Sequence, residues 1–478
     1  MKDKEFIINS IEKRKDELNM LAAEIWGYAE LPYEEFKSSE LIIKKLKDEG
    51  FAVEAGIAGI PTAFIASWGT GEPSFGFLGE YDALDSLSQE AGNPIKNPII
   101  YGAPGHGCGH NILGVGSLGA ALAAKDYLYA NSIQGTIKYF GCPGEEGAGS
   151  KQFMARTGAF DGVDFVYTWH PSDTTQVQSD RTVAIMGANF SFKGISAHAG
   201  STPHLGRSAL DAAELMSVGV NYLREHMIDQ ARIHYAYSDV GGTAPNVVQD
   251  RSVVKYEVRS PKVKQVKELF ERVVDVAKGA ALMTGTNMEY EVTMAFSDYI
   301  TNDALAEVAE QALVEVGAPE WDDDDYNLAK AYLESFNEGT KEIAREKIVA
   351  RFGVDACEER FNKPLDPSVT PYRIGSQSYS SGSTDVGDVS YTIPTLNFNI
   401  ATAFIGSVGH TWQMTGQSGS SLGSKGMLAA AKVMALAAIR TIARPDIIEK
   451  AKDLVKLQNG GSYQCPLPDY VVPPVGKY

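Results

Sequence analysis

The 478-residue sequence is poor in cysteine and histidine and has no long apolar run. Four widely spaced cysteines do not make a disulfide framework, so reduced thiols and a cytoplasmic location are expected. The most apolar stretch, Met427–Ile439, is too short to span a membrane and contains Lys432. The first residues, MKDKEF, are charged and lack the apolar core of a signal peptide. We therefore expect neither a secreted, disulfide-linked protein nor a membrane-embedded one.

Positive charge is also in deficit. The chain has 43 Lys and Arg against 61 Asp and Glu, a net charge of −18. Such an excess of acid disfavours binding to nucleic acid and to anionic membrane surfaces, so no partner of either kind is expected. The contents of 44% hydrophobic and 22% charged residues are those of an ordinary globular protein. The length allows two or three domains with a large buried core.

Two glycine-rich runs contain side chains that can bind a metal ion. The run GHGCGHN contains Cys108 and His110, which are two residues apart and so point the same way in an extended or looped backbone. A second run, GCPGEEG, contributes Glu145 and Glu146. A thiolate, imidazoles and carboxylates in one place form the ligand set of a zinc-like ion. The sequence therefore predicts a metal site.

Strand and helix patterns alternate over much of the chain. This alternation predicts an α/β fold, with a mostly parallel central sheet and helices on both faces. In such sheets ligands bind beyond the carboxyl ends of the strands. Glu80, Glu145, Glu146 and His170 all follow predicted strands. The metal site is therefore expected at this edge of the sheet.

The pattern changes between residues 185 and 298. Two helices and about four half-exposed strands there predict a compact α+β insertion of the ferredoxin-like kind. The predicted organisation is a catalytic domain in two parts, 1–184 and 299–478, with an inserted domain at 185–298. Within the second part, residues 322–361 are rich in charge and predict surface helices.

Six motifs occur in the same order as in the metal-dependent amidohydrolases related to carboxypeptidase G and the plant auxin-conjugate hydrolases, a family that the chain resembles. They are GHGCGHN, GCPGEEG, a strand ending in WHP, GISAHAG-x-x-PHLGRSALDA, PNVV and GHTW. The likeness covers nearly the whole chain and includes GEYDAL and STDVGDVS. The resemblance implies a phosphorylase/hydrolase-like catalytic domain. It also implies that the insertion is a lid and dimerisation domain.

The resemblance also implies residue roles. Two divalent ions per subunit, manganese or zinc, would be held by Cys108, His110, Glu146, His170 and His410. Glu145 would be the general base, taking a proton from the activated water and passing it to the departing nitrogen. His198 of the inserted domain would donate to the oxyanion, reaching across from a dimer partner. Asn246 and Arg259 match positions that hold a substrate carboxylate, which the planar fork of arginine suits.

The implied substrate is an N-acyl amino acid, most closely p-aminobenzoyl-glutamate, which would be cleaved to p-aminobenzoate and glutamate. The alternatives are a dipeptidase, another N-acyl-amino-acid hydrolase of the same family, or a non-catalytic subunit of a hetero-oligomeric hydrolase. An inert subunit would be free to lose Glu145 or a ligand, and this chain has them all. The resemblance implies a homodimer and leaves open a related A-type partner subunit. The thiolate favours zinc and the carboxylate admits manganese, so the ion stays open.

Four other polar residues have simpler interpretations. His106 is read as a structural residue that orients the loop around Cys108. Asn111 is either the cap of a helix that starts at Ile112 or a departure from the acid usual at this position in the wider family. Glu80 and Asp82 are read, apart from the family, as surface acids in a turn.

Overall fold

The computed structural model describes residues 2–380 and 382–477, and its strands form two sheets. In spatial order, the central sheet contains β1 (Ala52–Ala55), β2 (Phe64–Thr70), β4 (Gly135–Gly141), β3 (Ser74–Gly79), β5 (Phe165–Ser172), β12 (Thr395–Ala401), β6 (Thr175–Val177) and β11 (Val369–Thr370). The second sheet contains β10 (Asn287–Phe296), β7 (Ala184–Lys193), β9 (Arg251–Ser260) and β8 (Arg232–Asp239).

The helices connect and cover these strands. In chain order they are α1 (Lys2–Lys13), α2 (Lys15–Tyr28), α3 (Phe36–Asp48), α4 (His110–Asn131), α5 (Lys151–Arg156), α6 (Ala209–Leu223), α7 (Val263–Thr284), α8 (Asp303–Val316), α9 (Asp323–Glu334), α10 (Glu338–Phe352), α11 (Cys357–Asn362), α12 (Val386–Ser390), α13 (Trp412–Ser418), α14 (Ser421–Thr441) and α15 (Pro445–Gln458). Short 3-10 turns occur between several of them.

The middle of the central sheet is parallel, as predicted. Strands β4, β3, β5 and β12 run side by side in one direction, and antiparallel pairs flank them. Every residue of β3 is buried, which is typical of a strand covered on both faces. Phe77 packs in the core on the α4 side, and the next residue, Leu78, packs in the core on the other side, with Met154 of α5. The predicted fold class is therefore confirmed.

Small residues allow α4 and α14 to approach the sheet and each other closely. A Cβ atom at Gly116 would lie 2.8 Å from the indole nitrogen of Trp169, and one at Gly119 would lie 3.1 Å from Ala431. Within the described residues, α14 is the one helix long and apolar enough to cross a membrane, but 83% of its most apolar window is buried inside the protein. We therefore assign it to the core.

The second sheet and its helices form the four-stranded unit, which is built from β7 to β10 with α6 and α7. Its elements follow one another as β-α-β-β-α-β, and all its strand pairs are antiparallel. This is the ferredoxin-like arrangement that the sequence predicts. Alternate residues of β9, such as Val254 and Val258, are buried against the helices, and those between them face the other side.

Helices α9, α10 and α11 account for the charged stretch that the sequence places on the surface. They have a small apolar core of their own, which includes Tyr332 and Ile348. That core extends onto the loop before α13, where the rings of Phe336 and Phe404 meet edge to face at 5.5 Å. The loop carries His410, so these helices support one wall of the site described below.

Candidate metal centre

The candidate site lies at the carboxyl edge of the parallel strands. His110 is the first residue of α4 and follows Gly109, whose positive φ of 78° turns the chain sharply. His170 lies within β5, which continues past the predicted end to Ser172. His410 has a positive φ of 56°, and its backbone N–H donates to the carbonyl of Gly107 at 2.9 Å. That bond ties the loop before α13 to the GHGCGHN turn.

The structure brings the five predicted donors together in two overlapping sets. The donor atoms of Cys108, His110 and His170 lie within 4.8 Å of one another. The same limit holds for the donor atoms of Cys108, Glu146 and His410. Cys108 belongs to both sets, so its sulfur would be a ligand common to two ions if each set held one.

The histidine rings are oriented as metal ligands require. Nδ1 of His110 lies 2.7 Å from Oδ1 of Asp82, and Nδ1 of His170 lies 2.8 Å from the carbonyl oxygen of Pro171. Both partners accept hydrogen bonds, so each Nδ1 carries a proton, and Nε2 is the nitrogen of each ring that would bind an ion. Nε2 of His110 lies 3.3 Å from Oε2 of Glu80, and Oε1 of Glu146 lies 3.3 Å from Nε2 of His410, but neither buried atom makes a well-formed hydrogen bond. This donor set fits a pair of divalent cations.

The surroundings of the Cys108 thiol also favour a bound cation. Burial raises its pKa, and the nearby carboxylate of Glu146 adds to the effect, while His110 opposes it. A thiol in such surroundings stays protonated unless a positive charge lies beside it. An ion held by either donor set would supply that charge, and its binding would release the thiol proton.

Glu145 and Glu146 are neighbours in the turn after β4 but differ in their contacts. Oε1 of Glu146 lies 3.3 Å from Nε2 of His410. A carboxylate oxygen of Glu145 instead belongs to a third set, within 4.8 Å of donor atoms of Glu80 and His110. Burial raises the pKa of Glu145 well above its usual range, and the carboxylates of Glu80 and Glu146 contribute. Glu145 is thus the more basic carboxylate of the pair.

Two buried carboxylates hold the metal-site turns in place. Asp82 accepts from the His110 ring with one oxygen and from the backbone N–H of Glu146, at 2.8 Å, with the other. Glu35 accepts from the backbone N–H of Gly144 at 2.7 Å, just before the adjacent glutamates. Sequence reasoning missed Glu35, because a glutamate after a proline-containing turn gives no local signal of burial.

The structure contradicts the simpler interpretations of Glu80, Asp82 and Asn111. Glu80 and Asp82 are not surface acids, since their side chains are almost fully buried. The strand before them, SFGFLG, is buried along its whole length, but the acids themselves give no local sign of burial. Asn111 does not cap a helix that starts at Ile112, because α4 already begins at His110. The side-chain amide of Asn111 donates instead to the carbonyls of Ala22 and Ser418, at 3.4 and 3.3 Å.

His106 has the structural contacts expected of it. Its ring lies outside the donor sets, with Nε2 3.0 Å from the carbonyl oxygen of Ile25, to which it donates. Burial is the main reason that the pKa of His106 falls to about 3, so the ring is neutral. It ties the GHGCGHN turn to α2.

The residues predicted for the oxyanion and the substrate lie in the four-stranded unit. His198 and Asn246 are in adjacent loops, where the backbone N–H of Ala199 donates to the Asn246 carbonyl at 2.9 Å. Arg259 is near the opposite end of β9, eight residues after the strand begins at Arg251, which corresponds to roughly 26 Å. The structure therefore does not bring Arg259 together with the other two within one subunit. Nor does it include His198 in any of the donor sets.

A polar cavity opens beside the donor sets. It has a volume of about 370 Å³, and Glu80 and His170 form part of its wall. Thr168 on β5 and Asn397 on β12 are opposite one another in the sheet and line it as well. Volumes of 300–1,000 Å³ are typical of small-molecule sites. The cavity therefore gives a small substrate room next to the donors.

The fold and the donor sets together define a metal-dependent amide hydrolase, and residues 76–352 match the Peptidase family M20/M25/M40. The chain belongs to this family. The predicted family resemblance is thereby confirmed.

Two named relatives match more than nine-tenths of the chain, and a third matches half of it. It is 40% identical over 473 residues to the B-type subunit of the p-aminobenzoyl-glutamate hydrolase of Escherichia coli K12, covering 98% of each chain. It is 28% identical to the Xaa-Arg dipeptidase of Mus musculus, over 92% of this chain and 89% of the dipeptidase. The A-type subunit of the E. coli hydrolase is 30% identical over 50% of this chain and 56% of its own length.

Solved structures share the fold. An aminobenzoyl-glutamate utilization protein from Klebsiella pneumoniae aligns with a TM-score of 0.61 and 18% identity, over 90% of this chain and 97% of that one. A dinuclear metal-binding peptidase of the M20 family from Bacillus subtilis aligns with a TM-score of 0.58 and 17% identity, over 90% and 99% of the two chains. At these identities the likeness concerns the fold alone.

Proposed function

We propose that the protein hydrolyses the amide bond of p-aminobenzoyl-glutamate, releasing p-aminobenzoate and glutamate. The observation that carries the proposal is the pair of donor sets sharing Cys108, with the basic carboxylate of Glu145 beside them. The substrate is proposed from the relative that is 40% identical over nearly all of the chain. Such a reaction would belong to folate breakdown in the cytoplasm.

Two divalent ions, manganese or zinc, would be held by Cys108, His110, Glu146, His170 and His410. When bound, they supply Lewis-acid activation of water and of the amide carbonyl. Glu145 takes a proton from the attacking water, holds it on its carboxylate, and delivers it to the departing nitrogen. Its neighbour Glu146 faces His410 instead. Of the two adjacent carboxylates, Glu145 is therefore the proposed base and Glu146 the proposed metal ligand.

His198 is proposed as the donor to the developing oxyanion. Its Nδ1 accepts the backbone N–H groups of Gly200 and Ser201, both at 3.1 Å. An Nδ1 that accepts must be unprotonated, so the neutral ring carries its proton on Nε2. That N–H points away from the loop as a ready donor on an exposed side chain.

Because His198 lies outside the donor sets of its own chain, we propose that it serves the site of a second protomer. Strand β8 pairs only with β9 among the described strands, which leaves its other edge open. We propose a homodimer formed through the lid, residues 185–298, with a related A-type chain as the alternative partner. The two E. coli relatives, which by name are the B-type and A-type chains of a p-aminobenzoyl-glutamate hydrolase, support the alternative.

Asn246 and Arg259 are proposed to hold the glutamate carboxylates. Arg259 lies on the face of β9 that is turned away from the helices, beside Glu257. Its Nε is buried without a hydrogen-bond partner, so part of its fork stays available. Asn246 lies in the loop before the strand begins at Arg251, and together with His198 it would act on the substrate bound by the partner protomer.

A substrate screen tests the proposed activity. Metal-reconstituted protein is offered p-aminobenzoyl-glutamate, benzoyl-glutamate, other acyl amino acids and Xaa-Arg dipeptides, and amino acid release is measured. We expect glutamate release from p-aminobenzoyl-glutamate with the highest kcat/KM of the panel. Faster cleavage of the dipeptides would favour the activity named for the mouse relative. Hydrolysis of none of them would overturn the proposal.

If His198 acts in the site of the second protomer, a His198 variant and a Glu145 variant should restore activity to each other when they are mixed. We expect His198→Ala to slow turnover by about 10²-fold or more with the fold intact, because the oxyanion loses a donor. Mixing it with Glu145→Ala should restore up to roughly a quarter of wild-type activity, since half of the randomly formed dimers have one complete site. His204→Ala, in the same exposed loop, serves as the matched control and should keep full activity. A mixture no more active than its components would refute the role across the dimer.

A further inference from the structure

Four carboxamide side chains lie side by side on one wall of the polar cavity next to the donor sets. They are Gln176, Gln178, Asn397 and Asn399, which we call the carboxamide floor. Two belong to β12, and the other two belong to β6 and to the residue that follows it. The residues between them, Val177 and Phe398, are buried in the core on the opposite face of the sheet. The floor is therefore the one polar face of strands whose other face is apolar.

The sheet register aligns part of this floor with a proposed metal ligand. Asn399 on β12 is opposite His170 on β5 and, on its other side, opposite Gln176 on β6. Residues that are opposite one another in a sheet have side chains on the same face. Neighbouring strands are about 4.8 Å apart, so this row extends about 10 Å from His170 to Gln176. A group that extends from the metal centre into the cavity therefore passes over Asn399 toward Gln176.

The two rows of the floor differ in their contacts. Nε2 of Gln178 donates to the carbonyl of Asp180 at 2.9 Å, and its Oε1 accepts from the side-chain amide of Asn397. Gln178 is thus engaged within the protein. The half-buried side chains of Asn399 and Gln176 form no hydrogen bond with a described residue. The row that starts at the metal centre can therefore give both its acceptors and its donors to a ligand.

The charges around the cavity indicate which end of a substrate lies there. Among the described residues that line it there is no lysine or arginine, but there are three carboxylates, those of Glu80, Asp173 and Asp180. Their basic partners are outside the lining and are, in the same order, Lys151, Lys347 and Arg373. Lys151 also lies 2.6 Å from Asp385, so its single charge is shared between two carboxylates. A substrate carboxylate would find no uncommitted cation on this wall, whereas a neutral group with N–H donors suits it.

We infer that Asn399 and Gln176 form the subsite for the acyl group of the substrate, and that they select an acyl group with an N–H donor. In p-aminobenzoyl-glutamate that donor is the para-amino group, which is uncharged at neutral pH and has two N–H bonds for the two carboxamide oxygens. The inference rests on the proposed function. It leaves the glutamate carboxylates to Asn246 and Arg259, outside this cavity.

The test compares two substrates that differ in this donor alone. In p-toluoyl-glutamate a methyl group of similar size replaces the amino group and cannot donate. The kcat/KM of each variant is divided by the wild-type value for the same substrate, which cancels the difference in reactivity between the two amides. We expect Asn399→Leu to lower kcat/KM for p-aminobenzoyl-glutamate about 10-fold more than for p-toluoyl-glutamate, because the amino group loses its acceptor.

Two further variants make the comparison decisive. Gln176→Met should shift the ratio in the same direction, and it decides the question if the leucine variant does not fold. Gln178→Met is the matched control, since this amide is on the same floor but is bound within the protein. It should change both substrates in the same proportion. Equal losses on both substrates in Asn399→Leu and Gln176→Met, or as large a shift of the ratio in Gln178→Met, would overturn the inference.

A binding measurement separates the inference from the proposed activity. Metal-reconstituted protein is titrated by calorimetry with p-aminobenzamide and p-toluamide, which have no amino acid to release. We expect wild type to bind p-aminobenzamide about 5–10-fold more tightly and Asn399→Leu to lose this preference. Wild type that shows the preference but cleaves neither glutamate conjugate would overturn the proposed activity and keep the subsite. Cleavage of both conjugates without any preference in binding would overturn the subsite and keep the activity.

Discussion

Replacing Glu145 with alanine is expected to lower kcat by about 10³-fold or more while both metal ions stay bound. The carboxylate of Glu145 carries the proton in the proposed reaction. The neighbouring carboxylates of Glu80 and Glu146 already have other partners, so neither is expected to take over this proton transfer. Glu80 is engaged by Lys151 and Glu146 faces His410. The measurement pairs the rate of p-aminobenzoyl-glutamate hydrolysis with metal content. Undiminished hydrolysis would rule out Glu145 as the base.

The adjacent residue supplies the matched control. Glu146→Gln changes the neighbouring position in the chain, but the side chain of Glu146 belongs to the donor set of Cys108 and His410. We expect it to lose activity together with the ion shared with His410, so that metal content falls. The two neighbours should therefore differ in metal content. Equal metal loss in both variants would show that Glu145 is a ligand as well.

Replacing Cys108 with alanine is expected to weaken both ions at once. Its sulfur belongs to both donor sets, whereas each of the other four proposed ligands belongs to only one of these two. Losing an outer partner of a metal ligand costs about 10–100-fold in affinity, and losing a shared ligand should cost more for each ion. Hydrolysis should fall with metal content. The measurement is metal content after dialysis, together with activity at saturating metal.

Cys142 provides the control for that experiment. It is a buried cysteine in the same part of the chain, and its thiol donates to the carbonyl of Phe140 at 3.4 Å. Cys142→Ala should keep both ions and most of the activity. Retention of one ion at full affinity in Cys108→Ala would contradict the bridging role of the sulfur.

The fold and the donor positions could be predicted because their signals are local. The strand and helix patterns predict the mostly parallel sheet. The glycine-rich runs around Cys108 and Glu145 predict turns whose side chains form a metal site. His170 and His410 are single residues far apart in the chain, and only the resemblance to a family connects them to the others. The roles of the catalytic and substrate residues remain predictions.

The buried partners of the site could not be predicted, because burial of a charge depends on distant residues. Lys151 is 71 positions from Glu80 and 234 from Asp385, and none of the three gives a local sign of the other two. The local pattern around Glu80 and Asp82 therefore indicates surface acids, although both are buried. The pattern at Asn111 indicates a helix cap because asparagine favours that position, but α4 starts earlier than its apolar residues suggest.

The central claim is that Cys108, His110, Glu146, His170 and His410 hold two divalent ions, which would supply the activation of water for attack on an amide bond. Its most direct test is the metal content of wild-type protein reconstituted with manganese or zinc and then dialysed, with glutamate release measured on the same sample. The account predicts two equivalents per chain and hydrolysis that disappears with a chelator and returns with metal. Protein that retains no more than trace metal, or that hydrolyses its substrate equally well without it, would contradict the account.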